Sequence, residues 1–226
     1  MEHPNAVSCV FLDIGGVLLS DGWGHESRHL ATKTFNLDQK EFEHRHSQAF
    51  DTHQLGNMTL EAYLDLVVFY RPRSFTHLQF RDFMFAQSTP NPLMIKHFQG
   101  LKKKFGLKIF VVSNEGRELN AYRLAKFELN SFVDTYVSSC YVHINKPNRS
   151  IFQLALDLSQ VAVDQIVYVE NTAMYVEIAR TMGIKSILHN NYTETCRELA
   201  LFGLSLNEGD NQGLNSRRWS SPAQTL

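Results

Sequence analysis

The strongest constraint on this chain lies near its start, in Ser8-Cys-Val-Phe-Leu-Asp-Ile-Gly-Gly-Val-Leu-Leu-Ser20. Apolar residues run without alternation up to one carboxylate, Asp13, and Gly15 and Gly16 follow almost at once. A continuous apolar run closed by a turn signal reads as a strand buried on both faces, the strand type of parallel sheets. The acid then sits at the C-terminal lip of the strand, the edge of an open α/β sheet where ligands bind. An Asp placed there is a nucleophile, a metal ligand or both; the plainer alternative is an Asp that caps the following turn.

The rest of the chain divides by its rhythm. From Asp21 to about Ala86 the pattern is helical throughout, with segments at Glu26 to Phe35, Gln39 to Thr52, Thr59 to Tyr70 and Thr76 to Ala86. Asp38 is well placed as the N-cap of the second segment. Leu60, Tyr63, Leu64, Val67 and Val68 form one face of the third. From Thr89 onward helix and strand alternate. Helices are expected at Leu93 to Phe105, Arg117 to Phe127, Arg149 to Leu158, Thr172 to Met182 and Thr193 to Phe202. Between them fall strands at Leu107 to Val112, Val133 to Val137, Gln165 to Val169 and Ile184 to Leu188, with Cys140 to Pro147 irregular. That grammar predicts a doubly wound α/β parallel sheet. Residues 1–20 and 88–205 are its core, 21–87 an inserted four-helix cap over the C-terminal edge, and 206–226 a polar, disordered tail.

Composition removes several classes of function. A net charge of -1 lacks the basic surface of a non-specific nucleic-acid binder. No run approaches the roughly 18 apolar residues of a membrane span. Met1-Glu-His-Pro-Asn5 lacks the basic start and apolar centre of a signal peptide. Cys9, Cys140 and Cys196 are odd in number and widely spaced, so they read as buried thiols of a cytoplasmic protein and not as a disulfide framework or a zinc site. His44, His46 and His53 share one cap helix and are expected as surface scatter. Trp23, His25 and the aromatic stretch Phe75 to Phe85 are read as structural, the last as cap core. Oligomeric state leaves no mark in the sequence.

Four strand ends or loops offer polar groups after apolar runs: Asp13, Ser113 with Asn114, Lys146, and Glu170 with Asn171. A parallel sheet brings the C-terminal ends of its strands to one edge, so these groups should converge. Together they are the ingredients of phosphoryl transfer through an aspartyl intermediate. A carboxylate attacks, a hydroxyl and backbone N–H groups hold phosphate oxygens, a lysine neutralises charge, and a second carboxylate helps hold Mg²⁺. Each group has a plainer reading: Ser113 a turn residue, Lys146 a solvated lysine, Glu170 an acid at a helix N-terminus, Asn114 a helix cap.

In order and spacing the chain resembles the haloacid dehalogenase superfamily over about residues 7 to 200. The first motif is Phe11-Leu-Asp13-Ile-Gly15-Gly16-Val17, the second Val111-Val-Ser113-Asn114, the third Asn145-Lys146-Pro147 with the helix after it. The fourth is Tyr168-Val-Glu170-Asn171 with Ala179 and Gly183 beyond. The resemblance implies a Rossmannoid core, Mg²⁺ as cofactor, and a site in which Asp13 and Lys146 are catalytic. It assigns Ser113, Asn114, Lys146 and Gly16 to the phosphate, and Asp13, Gly15, Glu170 and Asn171 to the metal.

Two departures qualify the function. The second Asp of the first motif, which protonates the leaving group in ordinary members, is Gly15, and loss of such a group typically costs about 10²–10⁴-fold. The penalty shrinks for an acidic leaving group. Asp-x-Gly members with a cap turn like Gly56-Asn-Met-Thr59 include sugar-1-phosphate phosphatases, and the metal site can use the Gly15 carbonyl. Asn171 stands where a metal-binding Asp is common; it keeps an oxygen and removes a charge. The expected function is therefore a Mg²⁺-dependent phosphatase of a small phosphorylated metabolite. A catalytically silent binding or scaffold protein is the first alternative, and a metal-independent dehalogenase the second.

Overall fold

The computed structural model describes residues 6–206. Five strands form its centre: β1 (Cys9–Leu12), β2 (Lys108–Ser113), β3 (Thr135–Ser138), β4 (Ile166–Glu170) and β5 (Lys185–Leu188). Their order is β3-β2-β1-β4-β5, and every pairing is parallel. The helices are α1 (His25–Thr34), α2 (Gln39–Gln54), α3 (Leu60–Val67), α4 (His77–Ala86), α5 (Pro92–Phe105), α6 (Arg117–Lys126), α7 (Ser139–Val142), α8 (Arg149–Ser159), α9 (Ala173–Thr181) and α10 (Tyr192–Leu201). The doubly wound α/β sheet expected from the alternating pattern is the fold observed.

Both faces of the sheet are covered, which explains the unbroken apolar strands. On one face Val10, Leu12, Val111 and Val169 pack with Met94, Phe98 and Leu101 of α5 and Leu199 of α10. On the other, Phe11, Phe110, Val112 and Tyr168 pack with Ile151, Phe152 and Ala155 of α8 and Ala179 of α9. β1 lies in the middle, fully buried, with Leu12 in register with Val111 on one side and Val169 on the other. The residue after it, Asp13, still donates its N–H to Val169 O at 3.0 Å. This places Asp13 at the rim between the ends of β2 and β4.

Helices α1 to α4 bury a separate apolar cluster that includes Trp23, Phe42, Tyr63, Leu64, Phe80 and Met84. Their termini carry the expected signals. Asp38 accepts from Glu41 N, and Thr76 and Gln79 form a reciprocal capping box. α3 stops at Val67, short of Tyr70. There Arg73 Nε takes the Val68 carbonyl at 2.7 Å, and Phe69 turns away to meet Phe75 and stack on His77. Within the stretch expected to be irregular, α7 forms one short helical turn. Of the expected tail, residues 207–226 lie outside the described residues.

The surface reading holds for His44, which is exposed, and is corrected for His46 and His53. Phe42, His46, Ala49 and His53 are the buried residues of α2, spaced so that they share its inner face; a gap of seven is two helical turns. His46 Nδ1 meets Tyr63 OH at 2.7 Å, and Trp23 Nε1 donates to the same hydroxyl at 3.0 Å. The hydroxyl therefore accepts from Trp23 and donates to a neutral His46. Burial, aided by the charge of Arg28, pushes the His46 pKa down to about 4. A depressed histidine pKa contributes stability above the unfolded value near 6.5 and loses it as pH falls towards the folded value. The wild-type chain should therefore lose up to about 3 kcal/mol through this group between pH 6.5 and 4. In urea titrations at a series of pH values, His46→Leu should be less stable at pH 7 but show a shallower acid loss.

Candidate active site

Asp13, Lys146 and Glu170 form a buried ionic trio at the C-terminal rim of the sheet. Lys146 Nζ lies 2.6 Å from Glu170 Oε2 and 3.1 Å from Asp13 Oδ1. Asp13 Oδ1 also accepts from Ile14 N at 2.8 Å, so this oxygen is doubly held. Its other oxygen, Oδ2, has no partner among the described residues. Glu170 is deeper. Its Oε1 accepts from Thr172 N at 2.9 Å, and its Oε2 takes Lys146 together with the Tyr168 hydroxyl. Tyr168 and Glu170 are two apart on β4 and therefore share a face, which brings them together.

Lys146 is held from its backbone as well. Asn114 Nδ2 donates to Lys146 O and Lys146 N donates to Asn114 Oδ1, each at 2.8 Å. This reciprocal pair ties the loop after β2 to the loop before α8. The Lys146 ammonium also lies 5.0 Å from the ring centre of Tyr175, a residue of α9.

The electrostatics follow from the count. One ammonium faces two carboxylates, so the fully ionised trio is net negative in a place water scarcely reaches. Burial pushes the Asp13 carboxyl well above the usual range, Lys146 pulls it down, and Glu170 adds to the rise. Burial works against the Lys146 ammonium, but Asp13 and Glu170 outweigh it and hold its pKa above the ordinary lysine value. A further positive charge at the rim would relieve this imbalance.

Above the trio opens a cleft of about 650 Å³. Asp13, Gly15, Asn114, Lys146 and Asn171 line it from the sheet side, and Trp23, Arg28, Asp51, His53, Gln54 and Met84 from the segment between β1 and α5. The expected residues thus fall into groups. Those five share the cleft wall. Gly16, with φ +69, lies behind Asn171: a Cβ on it would sit 1.9 Å from Asn171 Nδ2. Ser113 is fully buried at the end of β2, its Oγ without a partner, and is not part of the wall. Glu170 is likewise fully buried, beneath Lys146. The turn Gly56-Asn-Met-Thr59 is a docking point and not a wall: a Cβ on Gly56 would lie 2.1 Å from Cys140 O of α7.

Several residues of the site were not singled out from sequence. Glu115, buried beside the cleft, pairs with the buried Arg123 guanidinium, which also donates to Ser20 O. Arg123 reads in sequence as a basic residue in the last turn of an exposed helix, and only its pairing reveals it. Asp21 lines the cleft and accepts from Asn171 Nδ2 at 3.4 Å.

Comparison with known proteins bears on the family and the fold. The family model for haloacid dehalogenase-like hydrolases matches residues 7–183. A curated relative, bifunctional epoxide hydrolase 2 of Mus musculus, is 29% identical over 133 residues, which is 57% of this chain and 24% of that protein. The match therefore spans about a quarter of the relative's length. A HAD family enzyme from Bacteroides thetaiotaomicron superposes with TM-score 0.69 at 16% identity, covering 81% of this chain and 93% of that one. The same enzyme has been solved with magnesium and inorganic phosphate, and there the TM-score is 0.65 at 15% identity. An L-2-haloacid dehalogenase superposes with TM-score 0.61 at 15% identity, covering 82% of this chain and 87% of its own. These structures share the fold.

The ionic trio has a measurable signature. Lys146→Met leaves two buried carboxylates without their cation, which should destabilise the chain by about 3–5 kcal/mol at pH 8. The loss should be smaller at pH 5, where the Asp13 carboxyl, already raised by burial, takes up its proton. Adding Glu170→Gln should restore part of it, with denaturant midpoints as the readout.

Proposed function

The chain belongs to the haloacid dehalogenase-like hydrolases, and we propose that it is a magnesium-dependent phosphatase of a small phosphorylated metabolite in the cytoplasm. Its expected substrates are monoesters with an acidic leaving group, such as sugar 1-phosphates. The observation that carries this reading is the Lys146 ammonium 3.1 Å from Asp13 Oδ1, on the wall of a cleft large enough for a sugar phosphate. The three cysteines are free thiols, in keeping with a reducing compartment.

Asp13 is the nucleophile. With Oδ1 held by Ile14 N–H and Lys146, Oδ2 is the oxygen free to attack phosphorus. The Asp13–phosphorus bond forms as the bond to the leaving oxygen breaks. Water then attacks phosphorus, and Asp13 is released as a carboxylate. Lys146 remains charged throughout and balances the negative charge gathered at the transferred group. Glu170 keeps Lys146 in place. Ser113 and Asn114, at the end of β2, and the backbone at Gly16 are assigned to the phosphate oxygens. The Ser113 assignment rests on the resemblance alone, since its Oγ is fully buried and off the cleft wall.

The donors fit Mg²⁺. Asp13, the Gly15 carbonyl and Asn171 are oxygen donors of the kind this ion takes. Two of these ligands, the Gly15 carbonyl and the Asn171 amide, are uncharged, and among the described residues no three His, Cys, Asp or Glu side chains form a metal site. Glu170, assigned to the metal by the resemblance, has both oxygens engaged by the chain's own donors. When bound, Mg²⁺ supplies the positive charge that keeps Asp13 ionised and screens the incoming phosphate.

Position 15 carries no carboxyl to protonate a departing alkoxide. Leaving groups that depart as stable anions are therefore favoured. Phosphate release should be measured from an acyl phosphate, an aryl phosphate, glucose 1-phosphate and a simple alkyl phosphate, with Mg²⁺ and with chelator. The first three should exceed the alkyl ester by about 10²–10⁴-fold, and Asp13→Asn should abolish all release. No release from any ester would favour a silent binding protein; halide release from a haloacid without metal would favour a dehalogenase.

A further inference from the structure

Gly15 and Asn171 together remove two negative charges from a site that binds a cation on the reading above. The structure holds another carboxylate at the same spot. A Cβ placed on Gly15 would meet Asp21 Cα at 3.6 Å and Asp21 Oδ1 at 3.7 Å, and a Cβ on Gly16 would meet Asp21 Oδ1 at 3.0 Å. Asp21 therefore borders the space into which a side chain at position 15 would project. It is exposed, lines the same cleft as Asp13, and comes from the loop between β1 and α1.

Its contact is with the amide of Asn171. Asn171 Nδ2 donates to Asp21 Oδ1 at 3.4 Å, and the same nitrogen is packed against Gly16, which has no side chain to displace it. Asn171 Oδ1 has no partner among the described residues. An amide binds a cation only through its oxygen, and its two ends are nearly alike in shape. With a carboxylate on one side, the orientation that turns the nitrogen toward Asp21 is the favoured one, because the reverse would set oxygen against oxygen. That leaves the oxygen as the free end.

We propose that Asp21 is a positioning residue of the cation site: it fixes the Asn171 amide with Oδ1 free for a divalent cation, and its own charge replaces part of what Gly15 and Asn171 remove. This rests on the cation reading above but not on any particular substrate. Groups that orient metal ligands from behind typically account for about 10–100-fold in metal affinity. Asp21 is exposed, so the lower end of that range applies.

The test is Mn²⁺ binding to the full chain without substrate, followed by electron paramagnetic resonance and by competition with Mg²⁺. Asp21→Ala should weaken Mn²⁺ binding about tenfold, and Asp21→Asn, which keeps an acceptor but loses the charge, should fall between the two. In an Asn171→Asp background, Asp21→Ala should instead leave affinity unchanged or improve it, since a carboxylate needs no amide orientation and its neighbour then repels it. Thermal melts check that each variant folds. The inference is overturned if the wild type binds no Mn²⁺, if Asp21→Ala leaves affinity unchanged, or if it weakens binding equally in both backgrounds. A chain that releases phosphate but shows no Asp21 effect would retain the phosphatase reading alone. A chain that binds Mn²⁺ through Asp21 yet releases no phosphate would retain the positioning role alone.

Discussion

The structure depends on one buried ammonium. Lys146 lies between Asp13 and Glu170, with its ammonium 3.1 Å from one carboxylate and 2.6 Å from the other. A pair of like charges in low dielectric is strongly unfavourable, and the lysine converts that pair into a network worth keeping. Its position is fixed from several directions: Asn114 holds its backbone, Tyr168 shares its partner, and the ring of Tyr175 lies 5.0 Å from its ammonium. The same network leaves Asp13 with one restrained oxygen and one open oxygen. A carboxylate so restrained is preorganised for attack in one direction.

Sheet topology makes the gathering possible. Asp13, Asn114, Lys146 and Asn171 are far apart in the chain, yet β1, β2 and β4 are neighbours and parallel, so their C-terminal ends meet. β1 is central because its four residues are apolar on both faces, and its carboxylate appears at the first position beyond the sheet. The helices inserted after β1 supply the opposite wall of the cleft with Arg28, Asp51 and Gln54. On the proposed function, residues that would choose a substrate come from one part of the chain, and residues that would act on phosphorus from another.

Much of this was legible in the residues. Apolar runs ending in polar tips marked the strands of the sheet, and Asp38 and Thr76 marked the helix starts they cap. The convergence of Asp13 and Lys146 on one edge could be expected from a parallel sheet, and their shared role from the resemblance. Other features depend on three-dimensional packing that local patterns do not encode. Arg123 and Glu115 form a buried pair across one turn-and-helix unit, but each looks like a surface charge. His46 and His53 share a buried face only because the gap of seven, and not the gaps to His44, sets their side of the helix. Asp21 lies in a loop whose path after Gly15 and Gly16 is set by tertiary packing and not by the local pattern. The burial of Ser113 and Glu170 beneath the cleft wall also reflects depth, which spacing along a strand does not report.

The central claim is that Asp13 accepts a phosphoryl group through Oδ2 and is freed by attack of water on phosphorus. Turnover in water enriched in oxygen-18, followed by mass spectrometry of the released phosphate and of the Asp13 peptide, tests it most directly. The account predicts label in the phosphate and none in Asp13. Label in the Asp13 carboxylate would contradict it, because water would then have attacked carbon, as in hydrolysis of an alkyl ester intermediate.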